Sequence, residues 1–463
     1  IGSGTKLAMD CAIGLSDAVI ANPNNVQAAF EQYDKSRRNT VEMIQYAAIV
    51  SLDWFENMDR HMQHSFQQFA FGCMTRSKKV TYENLRLRDS SFTDKVLNEF
   101  LETSNSQLPT SNSAAFTPFK IRELELPNRI VMAPMGQYSA TDGLVSDWHL
   151  VHYGSRATGG VGLIITEMTA ISETGRITEG CAGIYNAEQL NQWKKITNFI
   201  HNNTETKIGI QLGHSGRKGA TKKPWEGNGP METPWDLISA SPIAFNENFS
   251  IPKEMTLEDM AEIKAQFVQA AKNADEAGFD MIELQAHHGF LLASFLSPLT
   301  NIRTDEFGGS IENRLKYPLA IFKAIRDVFP SEKPISVRIS ATDWAENGIS
   351  EQEVITISEA FKNAGADIIN VSTGNTVAGQ KPLTGRMWQT PFSDAVRNTV
   401  HIPTITAGYI QDIDQINTIL LNGRADLVAL GRPLLLDANF VRNAQAYEQF
   451  QANDIPNPYK MGI

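Results

Sequence analysis

The sequence predicts an α/β protein, a (β/α)8 TIM barrel preceded by a mostly helical partial domain. Three observations carry that expectation. Eight short, continuously apolar runs recur after residue 115, helical segments separate them, and the residues before 104 follow a different, helix-like rhythm.

Lys6 to Val19 places Leu7, Ala8, Ala12, Leu15 and Ala18 at the spacing of one helix face. Asn22-Pro23-Asn24-Asn25 breaks that pattern, a long amphipathic stretch runs from Val26 to Met62, and a further helix is expected over Ser91–Thr103. Ser104–Ser113 is polar and without periodicity, which is linker composition. The expected division is therefore a helical domain over 1–103, a linker over 104–114 and a barrel over 115–463.

Beyond the linker the apolar runs are Asn128–Pro134, Val161–Glu167, Lys207–Gly213 and Asp280–Gln285, then Pro334–Ser340, Asp367–Ser372, Pro403–Gly408 and Asp426–Gly431. Their hydrophobicity is continuous rather than alternating, as in parallel strands covered on both faces. Helical segments such as Leu257–Ala277, Glu312–Val328 and Glu351–Asn363 turn each run into a βα unit. The third unit carries an insertion between Gly213 and Thr256 that holds Trp225 and Trp235. The rival is a doubly wound sheet, which would carry a Gly-rich first turn. No G-x-G-x-x-G follows any of these runs.

Composition narrows the function. The 463 residues include 42% hydrophobic and 20% charged positions, which excludes wholesale disorder. Fifty-two acidic against 41 basic residues give a net charge of −11, the wrong sign for a general nucleic-acid binder. No apolar run is long enough to span a membrane. Three scattered cysteines, Cys11, Cys73 and Cys181, fit neither a disulfide framework nor a zinc site, and point to a cytoplasmic protein. The chain opens on Ile1-Gly2-Ser3 without Met or a targeting segment, from which a missing beginning is expected.

In a barrel the chemistry lies at the carboxyl ends of the strands. Those ends offer Ala133-Pro134-Met135-Gly136-Gln137-Tyr138, Glu167-Met168, Gln211, His214, Gln285, His287, His288, Arg338, Gly408 and Gly431-Arg432. Glycines closing the last two strands suit a phosphate held by backbone N–H groups, with Arg432 as a fixed cation; the alternative is that they only permit tight turns. A phosphate there, with Gln211 and Arg338 mid-rim, points to a flat phosphorylated cofactor. His287 and His288 could bind a metal with Glu283. Adjacent residues at a strand end are expected to point opposite ways, so no metal site is expected and a hydrogen-bond donor is preferred.

With these residues assembled, residues from about Phe116 to the C-terminus resemble the Old Yellow Enzyme family of FMN-dependent oxidoreductases. Leu126–Ala140, Gly162–Glu167, Ile208–Gly219, Phe279–Arg314 and Asn422–Leu435 carry the resemblance. It implies that Ala133, Pro134, Met135, Gly136 and Met168 line the flavin, that Gln211 bonds its pyrimidine edge, and that Arg338 stabilises its anionic reduced form. Gly408, Gly431 and Arg432 would hold the phosphate, and Tyr138, His287 and Phe290 would border the substrate. NAD(P)H is the implied reductant and an electron-poor alkene the implied acceptor. The family polarises the substrate carbonyl with a pair of donors, whose positions here are Gln285 and His288. Two positions depart from the family pattern. Gly136 stands where a redox-tuning Cys is usual, and Phe290 where a proton-donating Tyr is usual, leaving solvent, His287 or Tyr138 to protonate the product. The C-terminal Asn457–Ile463 lies where related enzymes reach into a neighbouring subunit, which implies a homo-oligomer.

Gly2–Val19 and Phe69–Asp89 resemble the C-terminal end of class A flavin monooxygenases, and a helical appendage is the alternative. Such a tail joined to this barrel is the layout of bifunctional anthraniloyl-CoA and salicylyl-CoA hydroxylase–reductases. The Gly-rich FAD turn is absent from these residues, so FAD is expected only in an intact parent, and no hydroxylation from this chain alone. The expected function is FMN-dependent, NAD(P)H-driven reduction of the dearomatised product of an aryl-CoA hydroxylation. Arg217, Lys218, Lys222 and Lys223 are candidates to meet CoA phosphates. The alternatives are a free-standing reductase of small enones and a non-catalytic remnant.

Overall fold

The computed structural model describes residues 4–104, 113–447 and 455–462; most of the expected linker, 105–112, lies outside them. The chain forms two compact units. One is Ile1–Val96 with Leu383–Arg386, the other Leu97–Pro382 with Met387–Ile463.

The first unit is helical. Gly4–Ala21 and Val26–Glu56 pack on each other, and Asn25 starts the second by accepting the Ala28 N–H at 3.0 Å. The stretch expected to continue to Met62 stops at Glu56. The Asn57 side chain donates to the Asp53 carbonyl there at 2.9 Å, and a separate turn, Met58–His61, follows. Phe66–Thr75, capped by Ser65, and Tyr82–Arg86 were not anticipated; they bury Phe71 and Tyr82. Ser90–Thr103 agrees with the expected helix.

The second unit opens with an antiparallel hairpin, β1 (Phe119–Ile121) and β2 (Leu124–Leu126). Eight parallel strands follow and close into a barrel. They are β3 (Ile130–Met132), β4 (Leu163–Ala170), β5 (Lys207–Gly213), β8 (Met281–Ala286), β9 (Ile335–Ser340), β10 (Ile368–Ser372), β11 (Thr404–Thr406) and β12 (Leu427–Leu430). The last pairs with the first, Val428–Leu430 against Ile130–Met132. Two further short strands, β6 (Ile238–Ser239) and β7 (Lys253–Glu254), pair within the insertion after β5. All eight apolar runs are thus barrel strands, and the fold is the expected (β/α)8 barrel.

The strand starts supply the core: Leu163, Met281, Ile368 and Leu427 meet Ile121, Leu124 and Leu126 of the hairpin, which plugs that end. The opposite end is left for polar residues. In β4 the register slips between Ile165 and Met168, a bulge that re-aims Glu167 and Met168. Among the described residues no helix is long and apolar enough to cross a membrane.

Candidate active site

Because all eight strands run parallel, every carboxyl end opens at the same mouth. Strand register then aligns the residues in rows. Met168 stands opposite Gln211, Gln211 opposite Glu283, Gln285 opposite Arg338, and Arg338 opposite Asn370.

Glu283 organises the deeper row. Its carboxylate is fully buried and accepts from Gln211 Nε2 at 2.8 Å, Asn370 Nδ2 at 2.8 Å and Ser336 Oγ at 3.2 Å. A carboxylate only accepts, so it fixes which way each amide faces. Gln211 must give Glu283 its NH2 and turn its carbonyl to Gln285, whose Nε2 approaches at 3.4 Å. Gln285 Oε1 is left buried without a hydrogen-bond partner among the described residues. It lies over Gly213, where a Cβ would come within 2.3 Å of it and 2.9 Å of Met168 Cγ. One N–H of the Gln285 NH2 group faces Gln211 and its second N–H makes no hydrogen bond among the described residues, so the role of carbonyl donor expected of Gln285 remains a proposal. In the sequence Glu283 stands out only as a possible metal ligand. Its signal was parity, for Glu283 and Gln285 are two apart in one strand and face the same way.

The loop after β8 carries the histidines. His288 adopts φ +55°, which turns its ring back so that it lies 4.1 Å from that of His287. The expectation that the two point opposite ways is therefore corrected. His288 Nε2 meets Ser372 Oγ at 2.7 Å, and its backbone N–H donates to Ser340 Oγ at 2.9 Å. Burial, then Arg338 and Lys218, hold its pKa well below the ordinary value; burial, then His288 and the same two cations, do so for His287. Both rings are neutral near pH 7. The neutral His288 ring carries one proton, on Nδ1 where Ser372 donates to Nε2 and on Nε2 where Ser372 accepts. The Phe290 ring lies 6.0 Å from that of His287.

Ala133, Pro134, Met135 and Gly136 follow β3 directly. Tyr138, at φ +50°, folds its ring back over Gly136, where a Cβ would meet Tyr138 Cζ at 2.8 Å. Burial, then Cys181 and Glu167, push the Tyr138 phenol up to about 12. Gly431 lies beside this segment, and a Cβ there would meet only Met135 Sδ, at 3.5 Å. Gly408 has φ +100°, and a Cβ would strike the Trp388 indole at 2.7 Å. Arg432, exposed, stacks on the Tyr409 ring at 4.0 Å.

Of the four expected phosphate-binding cations, two are committed elsewhere. Arg217 is buried and donates to the carbonyls of Ile243, Ala244 and Thr376, and Lys218 donates to those of His288 and Asn375. Lys222 and Lys223 stay at the surface beside Glu232 and Glu226.

The mouth fits a flat polar cofactor such as FMN. Arg338 is a buried cation whose Nε has no hydrogen-bond partner among the described residues, and Thr406 Oγ1 and His287 Nδ1 are also unmet. Buried polar atoms are rarely left so without a ligand.

Comparison with known proteins agrees. Residues 114–450 match the family described as NADH:flavin oxidoreductase / NADH oxidase. An NADPH dehydrogenase of Listeria monocytogenes serotype 4b is 41% identical over 334 residues, 72% of this chain and 94% of that protein. An NADPH dehydrogenase of Bacillus subtilis is 41% identical over 332 residues, 71% and 93% of the two chains. Among solved structures, a 2-naphthoyl-CoA reductase complexed with 2-naphthoyl-CoA matches with TM-score 0.66 and 25% identity over 73% of this chain; the match spans 52% of that reductase, about half its length. Morphinone reductase matches with TM-score 0.63 and 26% identity, over 75% and 93% of the two chains.

Proposed function

The chain belongs to the NADH:flavin oxidoreductase / NADH oxidase family and is a flavin-dependent NAD(P)H oxidoreductase of the Old Yellow Enzyme type, and from that premise we propose that it reduces the activated C=C of an enone, the dearomatised product of an aryl-CoA hydroxylation. The observation that carries the cofactor site is the buried Arg338 guanidinium with its unmet Nε. When bound, FMN supplies two-electron chemistry between NAD(P)H and an electron-poor alkene. In this reading Ala133, Pro134, Met135, Gly136 and Met168 line it, Gln211 and Arg338 face its pyrimidine edge, and Gly408, Gly431 and Arg432 hold its phosphate. In the tautomer where Ser372 donates to Nε2, His288 offers its Nδ1 N–H, with Gln285 as the second donor, to the substrate carbonyl, where negative charge develops. Tyr138, His287 and Phe290 border the alkene.

The aryl-CoA link has two supports. The 2-naphthoyl-CoA reductase likeness is one. The other is a surface pocket of about 190 Å³ lined by Lys222 and Lys223 beside Glu179, Glu226 and Glu232, where a phosphate would take the place of the carboxylates in exposed ion pairs. The helical residues 1–103, joined through 104–114 to a barrel over 115–463, keep their likeness to a monooxygenase tail in this proposal, and Asn457–Ile463 meets a second copy of the chain. A free-standing reductase of small enones is the second reading. It is favoured by the NADPH dehydrogenases, which match along 93–94% of their own length without the helical part.

The purified protein is expected to show flavin absorption that bleaches with NAD(P)H, to carry no FAD, and to prefer a CoA-linked cyclohexadienone over cyclohexenone. Neutralising Lys222 and Lys223 raises KM for the CoA substrate alone. Equal effects on both substrates favour the second reading, and a protein that cannot be loaded with FMN overturns both.

A further inference from the structure

Reduction of a C=C bond needs a hydride at one carbon and a proton at its neighbour, and a group in the mouth whose pKa lies near neutrality is the one best matched to supply that proton in place of solvent. His287 and His288 are neutral, and Tyr138 holds its proton up to about 12. His214, buried, is brought down to about 4 and is also neutral.

Lys218 is different. It lies in the turn Gly216–Lys218 after β5, and its half-buried side chain reaches the histidine loop. Nζ donates to the His288 carbonyl at 2.8 Å and the Asn375 carbonyl at 2.8 Å, and sits over the rings of Phe245 at 4.5 Å and Phe290 at 5.0 Å. Two carbonyls and two rings hold the ammonium in place, and one of its three N–H groups stays uncommitted. The charged and titratable groups that face it are Arg217 on its own turn and His287 and His288 after β8; Arg338 acts on the same two histidines, and the carboxylate of Asp343 acts on Arg217. Burial, then Arg217, pull the ammonium down to about 7.

We propose that Lys218 is the catalytic acid of alkene reduction, delivering an Nζ proton to the carbon next to the substrate carbonyl. The Nζ–H bond breaks as the new C–H bond forms, and the hydride on the other alkene carbon derives from NAD(P)H by the family's established activity. The alkene is reduced, NAD(P)H is oxidised, and the neutral amine left on Lys218 regains a proton from water. The proposal rests on the enone-reductase reading above.

Three measurements test it on the flavin-loaded protein and on the protein alone. The ratio of alkene reduction to ferricyanide reduction, which needs no carbon protonation, is expected to fall about 100-fold in Lys218→Met. Lys218→Arg keeps the cation and the carbonyl contacts but does not release its proton, so it stays as slow as Lys218→Met. The wild-type alkene rate falls above pH 7 as the ammonium is lost. Independently of turnover, one 13C-dimethyllysine NMR resonance of the cofactor-free protein titrates near 7 and is missing in Lys218→Arg. Recovery of the rate by Lys218→Arg, an unchanged ratio in Lys218→Met, or a Lys218 resonance titrating above 9 would each overturn the proposal. Wild-type protein that reduces ferricyanide but no C=C substrate overturns the enone reading itself, and this proposal with it.

Discussion

Gly136 and Tyr138 occupy one another's space. A Cβ at Gly136 would stand 2.8 Å from Tyr138 Cζ, closer than packed carbons tolerate, so the ring can fold back only over a glycine. Tyr138 is half-buried, and the Trp225 ring is its edge-on neighbour at 6.1 Å. A methyl group at Gly136 is therefore expected to push the ring outward rather than strain the fold. Gly136→Ala should leave stability within about 0.5 kcal/mol, as surface changes do, and raise KM for the enone several-fold. In a Tyr138→Ala background the same substitution should have no effect on KM; equal effects in both backgrounds would show that the ring is not what the methyl strikes. None of this was legible in the sequence. Glycine at 136 read as a missing cysteine because the φ of +50° at Tyr138 leaves no mark in composition or periodicity. The direction of the Gln285 amide was hidden for a related reason. It is set by Glu283 on its own strand, but through Gln211 on the neighbouring one, and no local pattern encodes a hydrogen bond between strands.

At the scale of elements, legibility followed the strength of the pattern. The eight barrel strands stood out because each is covered on both faces, which demands an unbroken apolar run. The hairpin β1–β2 was missed, for three-residue strands are too short to show a period. The break at Asn57 was missed too, because a single side-chain bond to the Asp53 carbonyl ends the helix without a Gly or Pro. The hairpin nonetheless completes the core. Leu126 is fully buried against the strand starts, at the end of the barrel away from the mouth. Leu126→Ala is expected to cost about 2–5 kcal/mol in urea unfolding while kcat of the folded enzyme stays within twofold. A loss below about 1 kcal/mol would mean that the hairpin is not part of the core, and a large loss of kcat would mean that the plug shapes the mouth.

Across the whole molecule, the net charge of −11 and the scattered cysteines excluded classes of function but named none. The pH dependence of stability is shaped by a set of buried neutral histidines, which composition does not reveal. His214 is brought from 6.5 to about 4 by burial, and His152 to about 3 by burial, then Arg156 and His149; His287 and His288 are lowered as well. A base with a depressed folded pKa takes up its proton more readily in the unfolded chain. The unfolded state thus binds more protons below pH 6.5, and stability falls with pH until the folded rings protonate near 4 and 3. For one such ring the loss between pH 7 and 5 is on the order of 2 kcal/mol. His214 is the ring to test, because its Nδ1 accepts the Gly216 N–H at 3.0 Å and Asn can replace that acceptor without a titrating group. The urea midpoint is expected to fall from pH 7 to pH 5, and His214→Asn to remove about 2 kcal/mol of that fall. An identical pH dependence in the variant would show that His214 is not the neutral buried base its surroundings require.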